Sequence, residues 1–194
     1  MAQITRDSLL TLEAYARTRT QFRNEVLAHK RHRTVSIGPN VTLVFEDELT
    51  MRYQVQEMLR VERIFEESGI QNELDAYNPL IPDGRNWKAT MLIEYPDVGE
   101  RHRMLAQLTG IEDRVWVRVE GCASVYAIAD EDLPRDRAEK TAAVHFLRFE
   151  LDAEMALRLK AGAALAIGID HENYEYAITE VEHATASALV RDLV

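Results

Sequence analysis

The segment Phe45–Gly69 constrains the fold more than any other part of the chain. It opens with an acidic run, Glu46–Glu48, and ends in a glycine. Acidic side chains stabilise the first turn of a helix, and glycine often follows the last turn. Between these signals, apolar residues recur at helical spacing around most of the girth: Met51, Tyr53, Val55, Met58, Leu59, Val61, Ile64 and Phe65. The pattern predicts one long helix that is buried between two layers of structure.

Two carboxylates inside this apolar arc, Glu57 and Glu62, need an explanation. A buried carboxylate is costly unless it is paired, hydrogen-bonded, protonated or bound to a metal. In a structural interpretation, each one contacts an arginine, a tyrosine hydroxyl or a backbone amide. In a functional interpretation, one of them belongs to a binding site. Because they point more than a quarter-turn apart on the helix, we do not expect them to share one site.

The composition indicates a globular protein with a substantial core. The 194 residues fit a single domain, 1–194, with a helical layer over about 1–75 and a β-rich part over about 85–180. The net charge of 23 − 33 = −10 argues against non-specific binding to nucleic acid or anionic membranes. The one cysteine, Cys122, excludes a disulfide framework and multi-cysteine metal sites within the chain. Because no secretion signal and no apolar run of about 18 residues is present, we expect a cytoplasmic protein.

A first helix is predicted over about 7–32, and its second half is basic. Basic side chains near a helix C-terminus complement the helix dipole, which is one interpretation. The alternative is a site for a small anion or phosphate, built from four basic residues: Arg23, Lys30, Arg33 and Arg60. His29 borders the apolar stripe of the same helix and is either a surface residue or a metal ligand.

Much of the rest of the chain alternates polar and apolar residues with period two. The alternation predicts strands, with short helices between some of them, at 34–37, 41–45, 87–95, 114–120, 123–129, 141–151, 163–169 and 174–179. Short links between the later strands favour antiparallel pairing. We therefore expect an α+β fold in which N-terminal helices pack on a mostly antiparallel, curved, barrel-like C-terminal sheet. The charged segment 130–140 is predicted to be a solvated connection.

The segment Asn78–Gly84 holds two prolines, an asparagine and a glycine, and predicts an ordered loop. Each X–Pro bond in it can be either cis or trans. A stiff loop of this kind either closes a connection or covers a pocket.

His145 lies on a strongly apolar face of the strand predicted at 141–151. A histidine in that position is either a hydrogen-bonded core residue or a ligand or base. Two imidazoles and a carboxylate suit iron, zinc or manganese, so the candidate metal ligands are His29, Glu57 and His145. Whether these three meet depends on how two helices and a strand dock, which the sequence does not specify.

Several long strings of the sequence also carry a family resemblance. They follow one another over nearly the whole chain: AHKRHR, FEDELTMRYQVQEMLRVERIFEE, ELDAYNPLIPDGRNWKATMLIEYPD, AIADEDL and EKTAAVHFLRFEL. On these strings the chain resembles DUF3501, a bacterial family defined by a domain of unknown function. Members of that family are often encoded beside rubrerythrin-like and iron–sulfur proteins. The resemblance implies a role in iron redox or oxidative-stress biology, with such a protein as partner.

Three functional hypotheses follow. The first is a cytoplasmic metal- or cofactor-binding accessory protein of a bacterial iron or redox system. The second is a non-catalytic adaptor with structural carboxylates and an acidic surface that meets a basic partner; it predicts arginine or tyrosine, not histidine, around Glu57. The third is a small-anion-binding enzyme that uses the basic cluster. The sequence has no phosphate loop, dinucleotide fingerprint or nucleophile motif, so no catalytic residue is assigned. A homo-oligomer is compatible with all three.

Overall fold

The computed structural model describes residues 3–129 and 140–194. The connection predicted at 130–140 therefore lies, apart from its last residue, outside the described residues. The described part contains these α-helices: α1 Leu12–Lys30, α2 Glu48–Glu62, α3 Glu67–Tyr77, α4 Val98–Gln107, α5 Ala153–Lys160 and α6 His183–Val190. None of these helices is both long and apolar enough to cross a membrane. The strands are β1 Thr34–Ile37, β2 Val41–Glu46, β3 Asn86–Ile93, β4 Val115–Val119, β5 Ser124–Tyr126, β6 Ile128–Ala129, β7 Val144–Glu150, β8 Leu165–His171 and β9 Tyr174–Ile178.

The strands form two antiparallel sheets. Sheet A has the order β1-β2-β3-β7-β6, and sheet B has the order β5-β4-β8-β9. The predicted α+β class and the antiparallel pairing are confirmed. The predicted barrel is wrong, because the two sheets stay open: among the described strands, β1, β6, β5 and β9 each pair on one side only. A barrel requires every edge strand to find a second partner.

The main core lies between the two sheets. Alternate residues of sheet A, such as Phe45, Trp87 and Phe149, point toward Val117 and Ile167 of sheet B, and all five are buried. Because side chains alternate along a strand, the residues between them in sheet A point to its outer face. This alternation produces an apolar inner face and a mixed outer face, on which a cavity opens.

The helix predicted over Phe45–Gly69 is wrong in its extent, and its start is one error. Phe45 and Glu46 belong to strand β2. Asp47 is the N-cap of α2, where its carboxylate accepts a hydrogen bond from the backbone N–H of Thr50 at 3.0 Å. The acidic run therefore includes the end of a strand and a helix cap. Asp47 suits the cap because an aspartate side chain accepts hydrogen bonds from the free N–H groups of a first turn.

The second error lies at the far end of the predicted helix. α2 stops at Glu62 because Arg63 adopts the left-handed conformation, with φ 55° and ψ 47°. The chain turns there and continues as α3 from Glu67. Gly69 therefore lies inside a helix and does not end one.

This turn exposes residues that the periodicity assigned to a buried arc. Val61 is 62% exposed and Phe65 is 66% exposed, whereas Met51 and Leu59 are buried. Glu62 is exposed as well and needs no buried partner. A periodic pattern assumes one continuous helix axis, and here the axis changes direction after Glu62.

Helices α1, α2 and α3 form a layer with a small core of its own. Its buried apolar members are Ile4, Leu9, Met51, Val55, Leu59, Ile70, Leu74 and Ile81. The buried Gln56 side chain accepts a hydrogen bond from the Leu10 backbone N–H at 2.7 Å. The Asn78 side chain bonds the backbone of Ile4 twice, at 2.9 and 3.0 Å. These amide contacts hold the N-terminal segment against the layer.

Candidate functional site

Glu57 lies on the side of α2 that faces α1. Its Oε1 accepts hydrogen bonds from the Tyr15 hydroxyl at 2.6 Å and from Arg19 Nε at 2.8 Å. Its Oε2 accepts from Arg19 Nη2 at 2.7 Å and from Arg60 Nη2 at 3.5 Å. Glu57 is therefore a bidentate partner of Arg19 across the interface between the two helices.

The charges around Glu57 stabilise its ionised form. The Arg19 guanidinium is the main cause that lowers the pKa of Glu57 from its ordinary 4.5 to about 2; burial opposes this shift, and the Tyr15 and Arg60 donors reinforce it. Burial, together with the adjacent carboxylate, raises the pKa of Tyr15. Glu57 is thus charged throughout the physiological pH range and acts as an ionic link between helices.

His29, near the end of α1, contacts the cap of α2. Its Nε2 lies 2.5 Å from Asp47 Oδ2, and the same oxygen lies 3.4 Å from Arg33 Nη1. The other Asp47 oxygen accepts from the Thr50 backbone. Burial raises the pKa of Asp47, but the charge of Arg33, the Thr50 N–H and His29 more than offset it, so the pKa lies below its ordinary value. Asp47 therefore links the C-terminal end of α1, through His29, to the N-terminal end of α2.

Arg33 is buried and connects three segments of the chain. Its guanidinium donates to the carbonyl oxygens of Phe45 at 3.0 Å, Glu46 at 3.1 Å and Ala188 at 3.4 Å. Its Nη2 also lies 2.5 Å from Asp192 Oδ2. Burial raises the pKa of Asp192, and Arg33 offsets only part of that rise. With so many of its donors in use, Arg33 ties β2 to the C-terminal segment.

His145 is fully buried on the inner face of β7. Its Nε2 lies 2.8 Å from Thr141 Oγ1 and 3.0 Å from the carbonyl oxygen of Ala142. Because a carbonyl oxygen only accepts, we assign the proton to Nε2. The buried Glu112 lies 3.8 Å from the same nitrogen and accepts from the Thr141 hydroxyl at 3.3 Å. This arrangement is a hydrogen-bonded core histidine.

The structure does not bring His29, Glu57 and His145 together. Glu57 binds Tyr15 and Arg19 near the start of α1, whereas His29 lies about 15 Å farther along that helix at 1.5 Å per residue. His145 lies in the core between the sheets, on a different layer. Within residues 3–129 and 140–194, no group of three or more histidine, cysteine, aspartate or glutamate side chains is arranged to hold a metal ion.

The four residues of the predicted anion site are also spread along the helical layer. Arg60 binds Glu57 together with Arg19, near the start of α1. Arg33 follows the end of that helix, about 20 Å from Arg19 by the helix rise. Arg23 is exposed and Lys30 is half-buried, both on α1. These cations do not converge on one point.

Sequence reasoning missed three residues that organise these clusters: Arg19, Asp47 and Asp192. Arg19 follows Tyr15 by four positions, so both lie on one face of α1, and that spacing could have identified them as partners of a buried glutamate. Asp47 was considered only as part of the acidic run that precedes or opens the helix, and the structure shows it as the N-cap of α2. Asp192 has no local signal, because only the tertiary fold brings it to Arg33.

A cavity of about 440 Å³ opens on the outer face of sheet A, beside the loop Asn78–Gly84. Pro79, Leu80 and Ile81 of the loop line one side of the cavity. Both X–Pro bonds of the loop are trans. The loop therefore forms one wall of a pocket.

The fold and these clusters define an α+β fold with two open antiparallel sheets and a helical layer. Partly buried ion pairs join the helices of that layer. The chain belongs to the DUF3501 family, whose model carries the description "Protein of unknown function (DUF3501)" and matches residues 3–193. The resemblance noted in the sequence strings is confirmed.

A solved structure is similar to the whole chain. It is the crystal structure of a novel protein of unknown function from Burkholderia pseudomallei K96243 at 1.90 Å resolution, with 58% sequence identity, a TM-score of 0.95 and 100% coverage of both chains. No curated protein matches the chain. The family and the fold are thus established, and the comparisons assign no activity.

Proposed function

We propose that this chain is a non-catalytic protein-interaction adaptor. The observation that supports the proposal most is the environment of Glu57, whose two oxygens accept four hydrogen bonds from Tyr15, Arg19 and Arg60. An ionised carboxylate has about four acceptor sites, so this glutamate has none left for a metal or a substrate. Arginine and tyrosine neighbours are also what the adaptor hypothesis requires.

The interaction surface in this proposal is the turn between α2 and α3, residues 61–67, which we name the α2–α3 corner. Val61 and Phe65 project there with 62% and 66% exposure. Large exposed apolar side chains are typical of residues that become buried in an interface. Glu62 and Glu66 are exposed beside them, so the corner favours a partner with a basic rim around an apolar patch.

The partner class comes from the family resemblance. A rubrerythrin-like protein or an iron–sulfur protein encoded near the chain is the first candidate. The net charge of −10 favours a basic docking surface on that partner. In this proposal the chain positions the redox protein and carries out no chemistry itself.

The test measures binding of purified rubrerythrin-like and iron–sulfur proteins from the same host to the immobilised chain. Phe65→Ser is compared with Leu157→Ser, a matched control on α5 with 68% exposure. Loss of an interface anchor costs about 2 kcal/mol or more, which is more than tenfold in Kd. We expect that loss for Phe65→Ser and unchanged binding for Leu157→Ser. Equal binding by both variants, or no binding by the wild type, would refute the proposal.

A second candidate is a metal- or cofactor-binding accessory protein of the same redox system. The observation that favours it is the contact of 2.5 Å between His29 Nε2 and Asp47 Oδ2, with Asp192 on the other side of Arg33. Imidazole and carboxylate groups suit iron, zinc or manganese. A metal there would have to take the place of the Arg33 charge between the two aspartates.

Elemental analysis distinguishes the two candidates. The protein is purified without oxygen or chelator, beside His29→Ala and Glu57→Ala. Near-stoichiometric metal that is lost in His29→Ala and kept in Glu57→Ala would support the accessory role at the His29–Asp47 contact. Equal metal content in the wild type and His29→Ala would eliminate that contact as a metal site.

A further inference from the structure

A cavity of about 320 Å³, separate from the pocket beside the loop Asn78–Gly84, lies between α1, α2 and the segment that precedes α1. This volume falls within the range of about 300 to 1,000 Å³ that is usual for ligand pockets. Phe22 of α1 and Leu10 of the preceding segment provide apolar surface, and Leu10 is 44% exposed. Arg52 of α2 and Glu25 of α1 are the charged residues that line the cavity. The cavity therefore combines an apolar wall with one cation and one anion.

Two neutral side chains that line this cavity, Gln56 and Thr18, are already hydrogen-bonded to the backbone. The Gln56 side chain accepts from the Leu10 N–H at 2.7 Å and donates to the Leu10 carbonyl oxygen at 3.4 Å. The Thr18 hydroxyl donates to the Ala14 carbonyl oxygen at 3.1 Å. The Gln56 contacts hold the N-terminal segment against α2 before any ligand arrives, which lowers the entropy cost of binding.

Arg52 is the lining residue with unused hydrogen-bond donors. Its guanidinium carbon lies 5.6 Å from the centre of the Phe22 ring, a contact that positions the cation over the cavity wall. Its Nε lies 3.4 Å from Glu48 Oε1, an ion pair in which Nε makes no hydrogen bond. Within residues 3–129 and 140–194, no N–H group of this guanidinium donates a hydrogen bond. A partly buried guanidinium without an acceptor is unusual, since buried polar groups are nearly always hydrogen-bonded.

The Nη groups of Arg52 are the donors that a ligand can use. Nε is buried, whereas the side chain as a whole is 32% exposed and lines the cavity. The Glu48 contact leaves these groups available, because that carboxylate comes closest to Nε and is itself 31% exposed. Solvent screening makes a partly exposed i,i+4 pair of this kind weak. An anion at the Nη groups therefore binds without breaking a strong contact.

We propose that this cavity binds a small monocarboxylate with an apolar body. The ligand carboxylate accepts hydrogen bonds from the Arg52 Nη groups, whose planar fork matches the geometry of a carboxylate. The apolar body packs against Leu10 and Phe22. Glu25 in the lining and Glu48 beside Arg52 repel a second negative charge, so phosphate esters and dicarboxylates are disfavoured. This binding is independent of the proposed adaptor role.

The experiment is isothermal titration calorimetry of the full chain at pH 7. The reference probe is 4-phenylbutanoate, its uncharged analogue is 4-phenylbutanamide, and phenyl phosphate is the dianion. Arg52→Gln removes the charge, and Leu10→Ser removes apolar surface but keeps the backbone contacts with Gln56. Arg158→Gln is the matched control, because Arg158 also forms an i,i+4 ion pair, with Glu154 on α5.

We expect 4-phenylbutanoate to bind the wild type and Arg158→Gln with equal Kd. Arg52→Gln should weaken that binding by about tenfold or more, since hydrogen bonds between charged groups are lost. The amide should bind the wild type about tenfold more weakly than the acid, and Arg52→Gln should leave the Kd of the amide unchanged. Leu10→Ser should weaken the binding of both probes by the same factor, because both carry the same apolar body.

The proposal is overturned by any of several results. These are no binding of 4-phenylbutanoate to the wild type, equal binding of the acid and the amide, an unchanged Kd for the acid in Arg52→Gln, or tighter binding of phenyl phosphate than of the acid. The comparison of acid with amide uses the wild type alone, so it decides the question even if Arg52→Gln fails to fold.

Discussion

Replacing Glu57 by glutamine tests the structural interpretation of this residue most directly. The substitution keeps the size of the side chain and one acceptor oxygen but removes the charge that Arg19 neutralises. The pKa shift from 4.5 to about 2 corresponds to roughly 3 kcal/mol of stabilisation of the ionised form at neutral pH. The Arg19 and Arg60 side chains are 35% and 40% exposed, so solvent screening reduces that value. We expect Glu57→Gln to lower the free energy of unfolding by about 2 kcal/mol at pH 7.

The same pKa shift fixes the pH dependence of this loss. The pKa of Glu57 is lower in the folded protein than in the unfolded chain, so its contribution is fully present above the unfolded value of 4.5. The contribution is lost as the pH falls from about 5 toward 2, where the carboxylate becomes protonated in both states. The stability difference between wild type and Glu57→Gln should therefore shrink over this range.

The assay is urea unfolding followed by far-ultraviolet circular dichroism at pH 7, 5, 4 and 3. Glu67→Gln is the matched control, because Glu67 pairs with Arg6 in the same helical layer but is 72% exposed. An exposed pair of this kind contributes at most about 1 kcal/mol. A Glu57→Gln loss no larger than that of the control, or a loss that stays constant from pH 7 to pH 3, would refute the reasoning.

Three further substitutions test other parts of the fold by urea unfolding. Arg33→Met should destabilise the protein by about 3 kcal/mol or more because it leaves two largely buried aspartates, Asp47 and Asp192, without a counter-charge. Adding Asp192→Leu should recover part of that loss, and a double variant no more stable than the single one would contradict the pairing. Arg63→Gly should stabilise by about 0.5 to 1 kcal/mol because glycine adopts φ 55° without strain, and an unchanged unfolding midpoint would contradict this. Gly84→Ala should destabilise by about 1 kcal/mol or more, since φ is +97° and the new Cβ would collide with Val194; a neutral result would mean that the loop adjusts freely.

The sequence predicted the β-rich part of the fold well because period-two alternation is a local signal. Val115–Val119 and Tyr174–Ile178 lie within their predicted ranges. Short helices were expected between some of the strands, and α5, with Asp152 as its N-cap, is one of them. Alternation specifies which side chains face a core, but it does not specify whether the sheet closes. Whether the strands form a barrel or two open sheets therefore depends on strand order. The sequence of a single strand carries no information about that order.

The candidate site shows the same division between what a local sequence pattern predicts and what only the docking of helices and strands decides. The sequence identified Glu57 as a charge that needs a partner, because its place in an apolar arc is a local property. The identity of the partners, Tyr15 and Arg19, depended on how α1 docks against α2. His145 was located on an apolar strand face by alternation alone, and its buried hydrogen bonds agree with one of the two interpretations considered.

By itself, the sequence determined the α+β class, the antiparallel pairing, most strand positions and the family to which the chain belongs. These follow from periodicity, turn residues and long shared strings, all of which are written along the chain. Only the tertiary structure decided that the helix breaks at Arg63, that Asp192 meets Arg33, and that Glu46 of β2 lies opposite Lys88 of β3. Such contacts join residues far apart in sequence, and their free energy depends on packing and desolvation that no local pattern encodes.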